Sequence, residues 1–177
     1  MLKTFIPAIA SVVLATSTAF AHITLENQQA PVGAGYKAVF KVPHGCKGSD
    51  TVKIRVQIPN GVIGVKPQPK PGWQLEVVKG RYDKAYDFYH GAKVEEGVKE
   101  VVWSGGKLPD AFYDEFVMQG YLADSLKPGT MLYFPVVQEC EQGMDRWIEI
   151  PAEGKRSGDY QAPAPGLKLL PKQGGTD

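Results

Sequence analysis

The sequence lacks the signatures of the common enzyme classes. It contains no G-x-S-x-G elbow, no phosphate-binding P-loop, no G-x-G-x-x-G, no H-E-x-x-H and no C-x-x-C. Histidine is scarce: with three in 177 residues, a three-histidine zinc site would need all of them to converge. Excess charge is missing too. Of the 20 Lys and Arg, Lys3 stands alone ahead of residue 22, and there are 19 Asp and Glu, so from residue 22 onward the formal charges balance. A chain with no basic excess has no electrostatic footprint for nucleic acid, which is not expected as a partner. After residue 21 no apolar run approaches the roughly 20 residues a membrane helix needs, so no membrane span is expected in the mature chain. Helical periodicity is absent as well.

What is present begins with a leader. Lys3 gives a positive start, residues 5–16 are mostly apolar, and Ala19-Phe20-Ala21 places small residues at −3 and −1 of a cleavage site. Residues 1–21 therefore read as a secretory signal peptide, and the mature protein is expected to begin at His22. A terminal histidine carries a free α-amine and an imidazole on one residue, and the two nitrogens close a chelate ring on one metal ion. Imidazole suits copper, zinc, iron and nickel, and a square-planar nitrogen and oxygen set favours Cu(II). The plain alternative is that cleavage must leave some first residue, and here it leaves histidine.

Export also bears on the two cysteines, Cys46 and Cys140. In an oxidising compartment an even number without C-x-x-C spacing predicts a disulfide. The rival is a pair of thiolates on copper.

The rest of the mature chain alternates with period two. In residues 51–59, Val52, Ile54, Val56 and Ile58 alternate with Thr51, Lys53, Arg55 and Gln57, which predicts a strand with those four apolar residues inward. Asn60-Gly61 follows as a turn. Further strands are expected at 36–43, 73–79, 98–104, 113–122, 131–139 and 147–151, with a long hairpin or surface excursion over 81–92. Many short strands with turn signals between them predict an antiparallel β-sandwich over 22–151. From 152 to 177, glycine, proline and lysine predict a loose tail, with one late strand at 167–170.

Each candidate ligand has a bland counterpart. His44, beside Cys46 in a turn, and His90, in the aromatic excursion, read as surface histidines. Trp73, Trp103 and Trp147 are core by default. Asp114 and Glu115 read as a solvated carboxylate pair, and Met118, alternating with Phe116, as core.

The motifs A-H-I-T-L-E after the leader, V-P-H-G-C, I-R-V-Q-I-P-N-G-V, K-P-Q-P-K-P-G-W, V-V-W-S-G-G, L-P-D-A-F-Y-D-E-F, F-P-V-V-Q-E-C and R-W-I-E-I-P resemble the YcnI family of exported bacterial proteins. The resemblance runs in consistent order from Ala21 to about Pro151. It implies an immunoglobulin- or fibronectin-like sandwich in copper homeostasis, secreted to the periplasm of a Gram-negative bacterium. It also implies a mono-histidine brace. In that site the terminal histidine gives amine and imidazole to Cu(II), a glutamate on a later strand gives oxygen, and a tryptophan lies against the metal. Carried onto this chain, the histidine is His22, the glutamate is Glu115 in D-E-F with Asp114 the alternative one residue away, and the tryptophan is Trp147.

The function so implied is a Cu(II)-binding protein that stores copper or hands it to a copper-trafficking protein. A copper oxidase or monooxygenase is the rival if His44 or His90 joins His22. A metal-free structural or adhesive sandwich is the third reading, since fold alone does not choose among them.

Overall fold

The computed structural model describes residues 22–174, so the expected leader over 1–21 lies outside the described residues. Twelve strands carry the fold: β1 Thr24–Leu25, β2 Gln29–Pro31, β3 Ala34–Val42, β4 Thr51–Gln57, β5 Val62–Pro67, β6 Gln74–Asp87, β7 Lys93–Leu108, β8 Asp114–Leu122, β9 Met131–Tyr133, β10 Val136–Cys140, β11 Met144–Trp147 and β12 Gly166–Leu170. Two short 3-10 turns, Tyr89–Gly91 and Ser157–Asp159, complete the list of elements among the described residues. No helix among them is long and apolar enough to cross a membrane.

The strands form a four-stranded sheet in the order β1-β3-β8-β5, a five-stranded sheet in the order β11-β10-β4-β7-β6, and a small sheet β2-β12-β9. All pairings are antiparallel except that of β12 with β2. The two large sheets face each other through aromatic rings. Phe116 of β8 meets Trp103 of β7 edge-on with centroids 5.5 Å apart, and it meets Trp73 at 5.0 Å. Phe40, Phe116, Trp103, Phe134 and Ile54 are all fully buried. This is the sandwich that the alternation predicts.

Several elements depart from their sequence reading. In β4, Ile54, Val56 and the following Ile58 are buried as expected, but Val52 is only half-buried and Thr51 is fully buried. The pairing of β4 with β7 shifts register between Thr51 and Lys53, and this bulge rotates Thr51 inward. The stretch 131–139 is two strands in different sheets, because Phe134-Pro135 breaks the ladder and Pro135 has no N–H to give. Trp147 ends a strand instead of opening one. The strand around Trp103 continues through Gly105-Gly106 to Leu108. The excursion is a long hairpin of β6 and β7. The late strand expected at 167–170 is β12, which buries Leu167 and Leu169 between β2 and β9 and so ties this part of the expected tail into the core.

Ile54 sits at the centre of β4 with no exposed surface. Ile54→Ala is expected to cost about 2–5 kcal/mol, as for other buried large-to-small changes. A denaturant midpoint within experimental error of the parent protein's would contradict the register described here.

Candidate metal centre

His22 lies two residues ahead of β1, an edge strand of the four-stranded sheet, and buried Ile23 pins the chain there. Trp147 closes β11, an edge strand of the five-stranded sheet. The two edges meet at these residues: the rings of His22 and Trp147 have centroids 5.7 Å apart and planes inclined by 56°. The indole is 4 % exposed, so it presents a wall to the imidazole and not a mobile lid.

Burial pushes the His22 imidazole below its ordinary value of 6.5. The carboxylate of Glu149 acts in the opposite direction, and the His44 ring adds to the lowering. The neutral form, which is the one that binds metals, therefore persists to lower pH than in a free imidazole. Nε2 of His22 is buried without a hydrogen-bond partner. Leaving a buried polar nitrogen unpaired costs about 1–3 kcal/mol, so this ring is not held in place by a hydrogen bond at that atom.

His44 reaches the site from the turn after β3. Gly45 and Cys46 shape that turn. A Cβ at Gly45 would lie 1.9 Å from the Ser49 carbonyl oxygen, so the close backbone approach there admits only glycine. The Gly45 N–H donates to the Asp110 carboxylate at 3.0 Å, and Cys46 exchanges backbone hydrogen bonds with Ser49. The Cys46–Cys140 disulfide, with Cα atoms 6.0 Å apart, fastens the turn to the end of β10. Both sulfurs are thereby used, which removes the thiolate-copper alternative for this oxidised state. Nδ1 of His44 donates to the Gly45 carbonyl at 2.5 Å. A carbonyl only accepts, so in the neutral ring Nε2 carries the lone pair.

Gln138 holds these pieces together. It is fully buried on β10. Its Oε1 accepts from the Trp147 indole N–H at 3.0 Å, and its Nε2 donates to the His44 carbonyl and to the Thr51 hydroxyl, each at 2.7 Å. The indole and the His44 turn are thus set by one amide. The sequence does contain the signal: in Val136-Val137-Gln138-Glu139-Cys140 the amide occupies an inward position between Val136 and Cys140, where a polar residue needs partners.

The carboxylates expected as ligands stand on β8. Glu115 pairs with Lys41, and Lys41 pairs with Thr24, so β3 stands between Glu115 and β1. Two strand spacings put the Glu115 backbone about 10 Å from that of Thr24, and the carboxylate that acts on His22 is Glu149. Asp114 is held by the Lys70 ammonium at 2.7 Å. His90 sits at the end of the β6–β7 hairpin with φ 57, on the 3-10 turn. So the structure sets the His22 and Trp147 rings side by side, with the charges of Glu149 and His44 felt at His22, while Glu115 and Asp114 stand on β8 and His90 on the β6–β7 hairpin end. Glu149 was visible in R-W-I-E-I as the residue two beyond Trp147. Its Oε2 accepts from the Ala162 N–H at 2.6 Å, which fixes the carboxylate. Among the described residues no three His, Cys, Asp or Glu side chains converge as a metal cluster, so a metal here needs a donor beyond side chains. The hollow beside His22 holds about 110 Å³.

A family model described as a domain of unknown function, DUF1775, matches residues 22–169, from His22 itself to the middle of β12. The chain is similar to a solved structure of an uncharacterised protein from Nocardia farcinica, reported to have an immunoglobulin-like fold. The two share 23% identity with a TM-score of 0.60, over 84% of this chain and 98% of that one. No curated protein matches.

Proposed function

The chain belongs to the DUF1775 family, and on that premise we propose that it is an exported Cu(II)-binding protein that holds the metal at His22 and passes it to a copper-trafficking partner in the periplasm. The observation that carries this reading is the His22 imidazole itself: half-buried, shifted by burial toward its neutral form and backed by the Trp147 indole. Once the leader is removed after Ala21, the His22 amine and Nδ1 form the chelate, since Nδ1 is the ring nitrogen that closes a six-membered ring with its own amine. Glu149 and His44, whose charges are felt at His22, are the further donors proposed, the first with charge and the second with a ring nitrogen; since the three side chains do not converge, they close on the ion only when it binds. These are nitrogen and oxygen donors, the kind that suit Cu(II). Trp147 offers its π face to the cation and keeps bulk water from one side. The family match beginning at residue 22 supports a domain that starts there.

A second reading has its own observation. The nitrogen without a partner is Nε2, which cannot chelate together with the amine of its own residue. A metal held by Nε2 would need no processed terminus.

Competitive Cu(II) titration of three variants tests the donor set. Glu149→Gln and His44→Gln are each expected to weaken binding roughly 10–100-fold, the range seen when groups around a metal are removed. Glu115→Gln is expected to leave affinity unchanged. The reverse pattern, with Glu115→Gln abolishing binding and the other two silent, would contradict the proposed arrangement.

A further inference from the structure

Away from His22, the end of the β6–β7 hairpin folds over the outer face of the four-stranded sheet and encloses a cavity of about 440 Å³. Three rings form its wall. Phe88 and Tyr89 from the hairpin end and Tyr121 of β8 stand with centroids 4.6 Å (Phe88–Tyr89), 4.9 Å (Tyr89–Tyr121) and 5.6 Å (Phe88–Tyr121) apart. Gly64 lets the hairpin seat: its φ is +60°, and a Cβ there would come within 2.6 Å of the Phe88 ring. The wall is thus positioned by the sheet it covers.

Two ammonium groups share the cavity with the rings. Lys37 of β3 and Lys66 of β5 both pair in register with Gln119 of β8, one from each side. Their backbones are two strand spacings apart, about 10 Å. No carboxylate lines the cavity. Neither lysine takes part in an ion pair among the described residues. Two cations without counter-ions beside three rings ask for a ligand with a flat apolar body and a negative end.

We propose that this cavity binds a small aromatic carboxylate, with its ring against Tyr89 and Tyr121 and its carboxylate between Lys37 and Lys66. The volume lies in the range of small-molecule sites. A bare inorganic anion would leave the rings unused, and an uncharged arene would leave the lysines unused. The cavity is also independent of the metal reading. His22 lies beyond the Lys41 end of β3, about 20 Å along the strand from Lys37.

The test is a titration of the mature protein with 2-naphthoate, followed by backbone amide NMR and calorimetry. 2-Naphthamide serves as the uncharged control and inorganic phosphate as the ring-free one. Expected are shifts confined to residues 35–37, 64–66, 88–89 and 119–121. Naphthamide should bind about tenfold more weakly, and Lys37→Gln with Lys66→Gln should weaken naphthoate by a similar factor, the sum of two partly exposed charge contacts. Tyr89 is 53 % exposed, so Tyr89→Ala should keep the fold and also weaken binding. Scattered shifts, no saturation in the millimolar range, equal affinity for naphthamide, or full displacement of naphthoate by equimolar phosphate would each overturn the proposal.

Discussion

Mature protein with its His22 α-amine acetylated is expected to lose Cu(II) affinity by more than about 100-fold while folding normally. Groups that merely surround a metal account for 10–100-fold each, and the amine is a donor in its own right. Acetylation converts that amine into an amide and brings no new amine to anchor the ion, so the nitrogen has no lone pair to give at neutral pH. Nothing else at the site changes: Ile23 still pins the chain, and Trp147, His44 and Glu149 keep their places. A competitive titration against a chelator of known affinity reads the loss. Unchanged affinity in the acetylated protein would remove the chelate and favour coordination through Nε2. Unchanged affinity in both the acetylated protein and Glu149→Gln would move the metal away from His22 altogether.

Gln138→Leu is expected to be the most damaging single substitution outside the large apolar core, at about 3–5 kcal/mol. Leucine fills a similar volume, so the loss comes from hydrogen bonding. It strands the Trp147 indole N–H, the Thr51 hydroxyl and the His44 carbonyl in a site that is fully buried, and each stranded group costs about 1–3 kcal/mol before any relaxation. Denaturant unfolding gives the stability. The same variant should bind Cu(II) more weakly even where it is folded, because the indole wall and the His44 turn lose their common anchor. A stability within about 0.5 kcal/mol of the parent, the range of ordinary surface substitutions, would show that the amide is not the hub described here.

The contrast between Ile54 and Glu115 shows what the sequence could deliver. Ile54 and Val56 were legible because burial on one face of a strand leaves a period-two record in the strand itself. The bulge that turns Thr51 inward and Val52 outward left no such record, since it depends on the pairing with β7 and β10. Cys46 and Cys140 were legible as a pair because a chain with two cysteines offers one pairing, and the structure forms it. At the site, His22 and Trp147 were named from motifs, and the structure sets their rings side by side. The placing of the carboxylates was not legible in the same way. Glu115 and Glu149 both lie on or just past a strand, and where each backbone stands relative to His22 is set by strand order: β3 separates β8 from β1, whereas β11 is an edge of the other sheet. Strand order is a property of the whole topology, and no local pattern encodes it.

Pulsed electron paramagnetic resonance of processed protein loaded with one equivalent of Cu(II), and with its histidines labelled with ¹⁵N, tests the central claim most directly. The predicted spectrum shows coupling to a directly bound amine nitrogen together with imidazole nitrogen, and it collapses to that of weakly bound copper in His22→Ala. A spectrum without the amine coupling, or one that survives His22→Ala unchanged, would contradict a chelate built on His22.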